Sequence, residues 1–260
     1  MTLPGSWTRA RNYYQRNAAH LLFRRPLRIR TQVPLVSFTF DDFPRSAFLA
    51  GGDILKHYGA AGTYYTALGL LGTEGPSGPL FTLDDLAGLL AQGHELGCHT
   101  FSHCNAWETD RCSFEESIIQ NRVALRKLVP DAEFRTLSYP ISEPHPLIKK
   151  TMARHFQCCR GGGQTLNMST ADLNQLSAFF LEQSRDDVRS VKDLIDYNRA
   201  VKGWVIFATH DICSNPSRYG CAPEFFEDVV RYAVASGSLV LPVREALPIA
   251  AGLTPRAGIR

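Results

Sequence analysis

The sequence predicts an α/β protein built on a parallel sheet, and three observations carry that expectation. Short runs rich in β-branched and aromatic residues alternate with helical patterns from residue 35 nearly to the end. The 260 residues are 44% hydrophobic and 20% charged, an ordinary globular make-up that excludes disorder and repeat scaffolds and can bury one large core without staples. The polar residues that interrupt the apolar runs do so at one end of each run, and in a parallel sheet those ends share a face.

The predicted strands are 35–40, 62–67, 95–99, 134–139, 156–159, 178–182, 204–209 and 238–242. About eight strands in roughly 225 residues is near the size of a (β/α) barrel, so the sheet is either open or closed into one. Helix starts are legible between them. Thr82 and Ser113 are each followed three residues later by an acid, Asp85 and Glu116, the capping-box arrangement. In the long helix after Ser113, Ile118, Val123, Leu125 and Leu128 fall broadly on one side, with Glu115, Arg122 and Arg126 toward water. The glycine-rich stretches 69–78 and 161–163 read as loops. Neither forms a phosphate-cradling pattern, which removes the usual support for nucleotide chemistry.

Charge divides the chain more sharply than its total of +3 suggests. Residues 1–30 hold seven of the 28 basic residues and none of the 25 acidic ones, so the arm carries +7 and the body, with 21 basic against 25 acidic residues, −4. The predicted organisation is a basic N-terminal arm (1–32), a catalytic domain (33–248) and a short tail (249–260). No basic cluster in the body suits a nucleic acid, so none is expected as a partner. The arm reads as a solvated or body-docked extension, with Trp7, Tyr13, Tyr14, Leu21, Leu22 and Phe23 as apolar anchors, or as a peripheral membrane contact. No apolar run reaches the ~20 residues of a spanning helix, and no signal-peptide pattern opens the chain. Seven cysteines, an odd number, fit a reducing compartment, and the location expected is the cytoplasm or its membrane surface.

At the strand ends stand Asp41 and Asp42, His99 and His103, Tyr139, and His210 with Asp211. Each alone is weak: paired acids often cap a helix, and two histidines four apart meet only in a helix or a compact turn. Together they supply two imidazoles and a carboxylate, a set suited to Zn²⁺ or another divalent first-row ion, with a second carboxylate free to act as a base.

These residues lie in segments that resemble a known family. Ser37-Phe-Thr-Phe-Asp-Asp-Phe, His99-Thr-Phe-Ser-His103 and Ile206-Phe-Ala-Thr-His210 resemble, in order and spacing, the first, second and fifth motifs of the polysaccharide deacetylases, the NodB-homology group of carbohydrate esterase family 4. The resemblance covers about residues 33–248 and implies a distorted (β/α) barrel of seven or eight parallel strands. It implies a metal-dependent deacetylase acting on an N-acetylated sugar. Asp41 would be the base, Asp42, His99 and His103 the ligands of Zn²⁺ (or Co²⁺, Ni²⁺ or Mn²⁺), and His210 the acid. The backbone N–H of Tyr139, in a segment resembling the third motif, would hold the oxyanion. Alternatives are a deformylase or O-acetyl esterase on a lipid-linked sugar and, from another class, an inactive carbohydrate-binding relative.

The sequence departs from the family pattern in three places. Where the family has an arginine that steadies the base, this chain has Thr136, leaving Arg135 and Arg160 as rivals for the role. Phe43 replaces the glycine that usually follows the acid pair and is expected to narrow the floor of the site. The acid that tunes the terminal histidine has no clear match; Asp186 and Asp187 lie in about the right region, with a solvated loop the plainer reading. Trp107, His145 and Tyr219 are candidates to touch sugar, though loop aromatics more often cover a core edge. Cys98, Cys104, Cys158 and Cys159 read as packing thiols, and Cys213 and Cys221 as free.

Overall fold

The computed structural model describes residues 6–141 and 143–253. Its frame consists of β1 (Leu35–Phe40), β2 (Thr63–Thr66), β3 (Glu95–Cys98), β4 (Thr136–Ser138), β5 (Cys158–Gly163), β6 (Leu176–Phe180), β7 (Trp204–Thr209) and β8 (Leu239–Val240). Strands β1 to β7 pair in parallel in chain order, and β7 returns to β1 in register from Trp204 opposite Leu35 to Thr209 opposite Phe40. The sheet is therefore closed, as a seven-stranded barrel. β8 pairs only with Leu35 and Val36 and lies outside the ring.

Side-chain alternation divides the molecule into two cores. Val36, Phe38 and Phe40 of β1 point outward with Val205 and Phe207 of β7 and join the buried face of the helix Pro223–Ala235 through Phe226 and Val229. Leu35, Cys158, Leu176, Ala178, Trp204, Ile206 and Ala208 form a second cluster that fills the barrel's N-terminal end. Above it the inward positions turn polar: Trp204 Nε1 donates to Ser37 Oγ at 3.0 Å, and Thr39 Oγ1 donates to the Phe207 carbonyl at 2.8 Å. The next inward residues on β1 and β7 are Asp41 and His210, so the alternation that fills the barrel also aims the chemistry at its open end.

Two elements differ from the sequence reading. The helix Arg111–Leu128 starts before Ser113, because Asp110 is its cap, accepting from the N–H groups of Cys112 at 2.9 Å and Ser113 at 3.1 Å. On that helix Val123 faces solvent at 45% exposure, and Phe114, Ile118, Asn121 and Leu125 make the buried face. Residues 161–163 belong to β5 rather than a loop. A Cβ on Gly161 would come 2.9 Å from Gln175 Cγ, and β5 and β6 shift register close to Gly163, whose φ is +124°. The capping box at Thr82 is present: the Thr82 hydroxyl accepts from the Asp85 N–H, and the Asp85 carboxylate accepts from the Thr82 N–H at 2.8 Å.

The described part of the basic arm is docked on the body. It forms a helix, α1 (Ser6–Leu21), and then a strand, Pro26–Arg28, that pairs antiparallel with Thr170–Asp172 just before β6. Arg25 donates to the carbonyls of Ala153 at 3.3 Å, Phe156 at 3.0 Å and Gln157 at 2.7 Å, at the foot of β5. Leu27 and Ile29 pack on the lower core. No helix among the described residues is long and apolar enough to cross a membrane.

Gly97, at an inward position on β3, leaves room for the Tyr65 ring, which a Cβ there would meet at 2.4 Å. Gly97→Ala should therefore destabilise the fold by about 1–3 kcal/mol, read as a lower denaturant midpoint at unchanged m-value. An unchanged midpoint would show that Tyr65 can move aside freely.

Candidate active site

The open end of the barrel gathers side chains from five strands. Inward alternation delivers Asp41 after β1, His99 after β3, Ser138 on β4, Arg160 on β5 and His210 after β7. Asp42 would face outward by the same rule, but its φ of +61° puts it in the left-handed region and turns its carboxylate toward the histidines. Phe43 follows at φ +53°. Two successive left-handed non-glycine residues are strained, by roughly 1–2 kcal/mol each. Phe43 offsets this by burying its ring against Phe81, Tyr64 and Phe48 with centroids 5.0, 4.9 and 6.3 Å away. The ring belongs to that core cluster and does not form the floor of the site, which corrects the expectation.

The segment from His99 to His103 is a compact turn, with Thr100 and His103 both left-handed. Cys104 N–H donates to Thr100 Oγ1 at 2.9 Å, and Phe101 N–H to Ser117 Oγ of the helix Arg111–Leu128, also at 2.9 Å. That turn sets His99 Nε2 and His103 Nε2 at 3.5 and 3.1 Å from the same oxygen, Asp42 Oδ1. This oxygen is buried and has no directed hydrogen bond. His99 Nδ1 lies 2.8 Å from the Ser138 carbonyl; as donor there it leaves the Nε2 lone pair free. Burial pushes the His99 pKa down to about 4, against the pull of Asp41 and Asp42, so the ring is neutral at neutral pH. Burial would raise the Asp42 carboxyl, but His103 first, then His99 and His210, hold it well below the usual carboxylate range.

One donor atom from each of Asp42, His99 and His103 thus lies within 4.8 Å of the others. A four-coordinate ion with bonds of about 2.0–2.2 Å holds its donors about 3.3 Å apart, close to the spacings here. The residues fit a divalent ion.

Asp41 is held separately. Arg160 Nη2 contacts both Asp41 oxygens and Ser138 Oγ, and Nη1 donates to the Gly161 carbonyl at 3.1 Å. The guanidinium lies over the rings of Tyr65 at 5.2 Å and Phe180 at 5.5 Å. Burial alone would raise the Asp41 pKa; Arg160, then His99 and His210, outweigh it and leave the carboxyl below its ordinary value. Arg160 therefore takes the place that Thr136 leaves empty. Arg135 faces outward, is exposed, and pairs with Glu133 at 3.2 Å, so it is not the arginine that meets Asp41.

Across the site, His210 Nε2 is 4.0 Å from Asp42 Oδ2, and Tyr219 tilts against the His210 ring at 5.2 Å. Tyr139 is corrected. Its N–H donates to the Arg160 carbonyl at 3.1 Å in the ladder, so it is not free for an oxyanion, and its ring is buried. Asp187 caps the helix Val188–Val201 by accepting from Arg189 at 3.1 Å and Ser190 at 3.2 Å. Asp211 clasps its own loop, accepting from Ser217 N–H at 2.7 Å and Ser217 Oγ at 2.6 Å. His145 caps the helix Pro146–Met152, its Nδ1 accepting from the Leu147 N–H at 3.3 Å, with Trp107 edge-on at 4.7 Å. All seven cysteines are free.

Glu182 was given no role by the sequence reading. Glu182 lies in a short 3-10 turn, Leu181–Ser184, that follows β6, whose last residue Phe180 pairs with Ala208 of β7. Glu182 Oε2 and His210 Nδ1 are both buried and lack partners. Burial, joined by the charges of Asp41 and Asp211, pushes the Glu182 carboxyl up to about 8.

A sequence profile of the polysaccharide deacetylase family matches residues 28–155, which include Asp41, Asp42, His99 and His103. The chain belongs to that family, the NodB-homology group of carbohydrate esterase family 4, and has its (β/α) barrel. Arg160 and His210 lie beyond the matched stretch, and the barrel brings them to the same open end.

Among solved structures, the chain is similar to the Xyl-CE4 domain of a multidomain xylanase from the hindgut metagenome of Trinervitermes trinervoides, with 16% identity, a TM-score of 0.61, and coverage of 87% of this chain and 95% of that one. It is also similar to a family 4 acetyl xylan esterase from Clostridium thermocellum in complex with a cobalt ion, at 18% identity, TM-score 0.58, covering 87% and 96%. A chitin deacetylase from the fungal pathogen Colletotrichum lindemuthianum gives 15% identity, TM-score 0.58, covering 88% and 92%. At these identities the likeness is one of fold. A search of curated protein sequences returned no match.

Two outcomes test the site. Protein purified without chelator should carry near-stoichiometric zinc or a similar ion, lost in His99→Ala; unchanged metal content would remove His99 as a ligand. Arg160→Gln takes away the charge that lowers the Asp41 pKa, so the acid limb of kcat/KM should move up in pH. An unmoved limb would mean that Asp41 is not the titrating base.

Proposed function

We propose that this deacetylase-family chain is a metal-dependent hydrolase that removes the N-acetyl group from an amino sugar in an oligosaccharide or glycoconjugate, releasing acetate. The observation that carries the reading is the pairing of a three-residue donor set, Asp42, His99 and His103, with a separate carboxylate, Asp41, kept ionised by Arg160. Zn²⁺ is the ion we assign, and the same donors accept Co²⁺, Ni²⁺ or Mn²⁺. Bound there, the ion would supply Lewis acidity toward the amide carbonyl and the attacking water.

The remaining work falls to the chain. Asp41 accepts the proton of the water that attacks the carbonyl carbon, and Arg160 fixes which way its carboxylate points. His210, on the far side of Asp42, gives a proton to the departing nitrogen, which would otherwise leave as a poor amide anion. Tyr219 walls the His210 side, where a sugar ring can rest against it.

The deciding assay is acetate and formate release from a panel of N-acetyl, N-formyl and O-acetyl sugars, with and without chelator. Chelator-sensitive acetate release from the N-acetyl sugars is expected; preferential release of formate, or of acetate from esters alone, would replace the amide reading. Asp41→Asn should retain its metal and lose about 10²–10⁴ in kcat. Retained turnover would move the base elsewhere.

A further inference from the structure

Outside the active site, the least explained surface is α1. Of the nineteen exposed large hydrophobic residues among those described, six fall between Trp7 and Phe23. Trp7, Tyr14 and Leu21 are 88%, 65% and 73% exposed and stand seven residues apart. A straight helix drifts only about 20° per seven residues, so these three share one stripe along its length. Arg11, four residues after Trp7, is exposed beside that stripe, whereas Arg16 lies on the opposite side of the helix, and the first thirty residues contain no acid.

The far end of this segment is fixed. Lys149 Nζ, fully buried, donates to the Ala19 carbonyl and pairs with Asp172 at 2.6 Å. Asn174 Nδ2 donates to the Phe23 carbonyl at 2.9 Å, and Lys150 lies 5.2 Å above the Phe23 ring. Helix α1 is therefore moored by its C-terminal turn while its apolar stripe stays outside the core. Its position is also specific. Tyr14 meets Trp107 edge-on at 6.2 Å, and Trp107 lies four residues after His103 on the loop that follows β3. Ile141, 66% exposed after β4, and Leu147, 49% exposed at the start of the next helix, lie at the same end of the barrel.

We propose that the Trp7–Tyr14–Leu21 stripe of α1, with Arg11 beside it, is a docking surface for an anionic lipid bilayer, and that it holds the rim of the candidate active site beside that bilayer. The chemistry matches an interfacial helix. Trp and Tyr settle at the headgroup level, Leu21 reaches the acyl boundary, and Arg11 meets anionic headgroups. A second copy of this chain, with its mildly acidic body, is the other occupant the charge would allow, and the test separates the two.

The full-length protein is sedimented with vesicles of phosphatidylcholine and of phosphatidylcholine mixed with an equal part of phosphatidylglycerol. Binding is expected to the mixed vesicles only and to weaken as salt is raised. Arg11→Glu should weaken it at least fivefold, since each basic residue near an anionic surface is worth about fivefold. Trp7→Ser with Leu21→Ser should weaken it by a similar factor. Both variants should keep wild-type circular dichroism and unfolding midpoint, because the altered side chains are exposed.

Equal binding by wild type and both variants, or no binding by wild type, overturns the proposal. So does a wild-type dimer in light scattering that Trp7→Ser with Leu21→Ser converts to monomer, since the stripe would then be covered by another copy. None of these readouts depends on turnover, so the proposal stands or falls separately from the deacetylase reading.

Discussion

The buried pair of Arg160 and Asp41 is the constraint around which the open end of the barrel is arranged. Two charges removed from water are tolerable only when geometry and further hydrogen bonds repay the desolvation. Here Arg160 meets both Asp41 oxygens, Ser138 Oγ and the Gly161 carbonyl, with aromatic rings of Tyr65 and Phe180 close to its guanidinium. The Tyr65 ring in turn occupies the space that Gly97 leaves on β3. A missing methyl group on one strand is thus linked, through one aromatic ring, to the charge state of a carboxylate on another.

The same constraint explains how strain is distributed. The chain leaves β1 through two left-handed residues, and only the first is used for chemistry. Asp42 needs that conformation to face the histidines, whereas Phe43 holds it by packing into the aromatic cluster behind the loop. A glycine at 43 would relieve the backbone but give up that burial, which is worth more than the strain. The site therefore draws on the core for its geometry, as strained functional loops generally do.

Much of this was legible in the sequence because a parallel sheet converts a period of two into a direction. Asp41, His99 and His210 are inward positions at strand ends, and that alone brought residues 169 positions apart to one place. What the sequence hid has local causes. Thr136 and Arg160 are neighbours only because β4 and β5 pair, with Thr136 opposite Cys158 and Ser138 opposite Arg160, so the replacement of one strand's arginine by the next strand's could not be ranked against Arg135 without the register. The Tyr139 N–H has a motif-like neighbourhood and is nevertheless committed to the Arg160 carbonyl. Residues 161–163 imitate a loop in composition, while the close approach of Gln175 gives Gly161 its place within a strand.

The way the arm is stitched down changes where the protein can be divided. Leu173 N–H donates to the Arg25 carbonyl at 2.8 Å, the strand Pro26–Arg28 pairs with Thr170–Asp172, and Arg30 N–H donates to the Ala250 carbonyl at 2.8 Å. Residues 25–30 are therefore part of the barrel's foundation, although their charge assigns them to the arm. The natural seam lies upstream, near Leu22, between a helix that offers a surface and a strap that seals the fold. Trimming back to that seam separates address from architecture, whereas trimming past it removes a structural member.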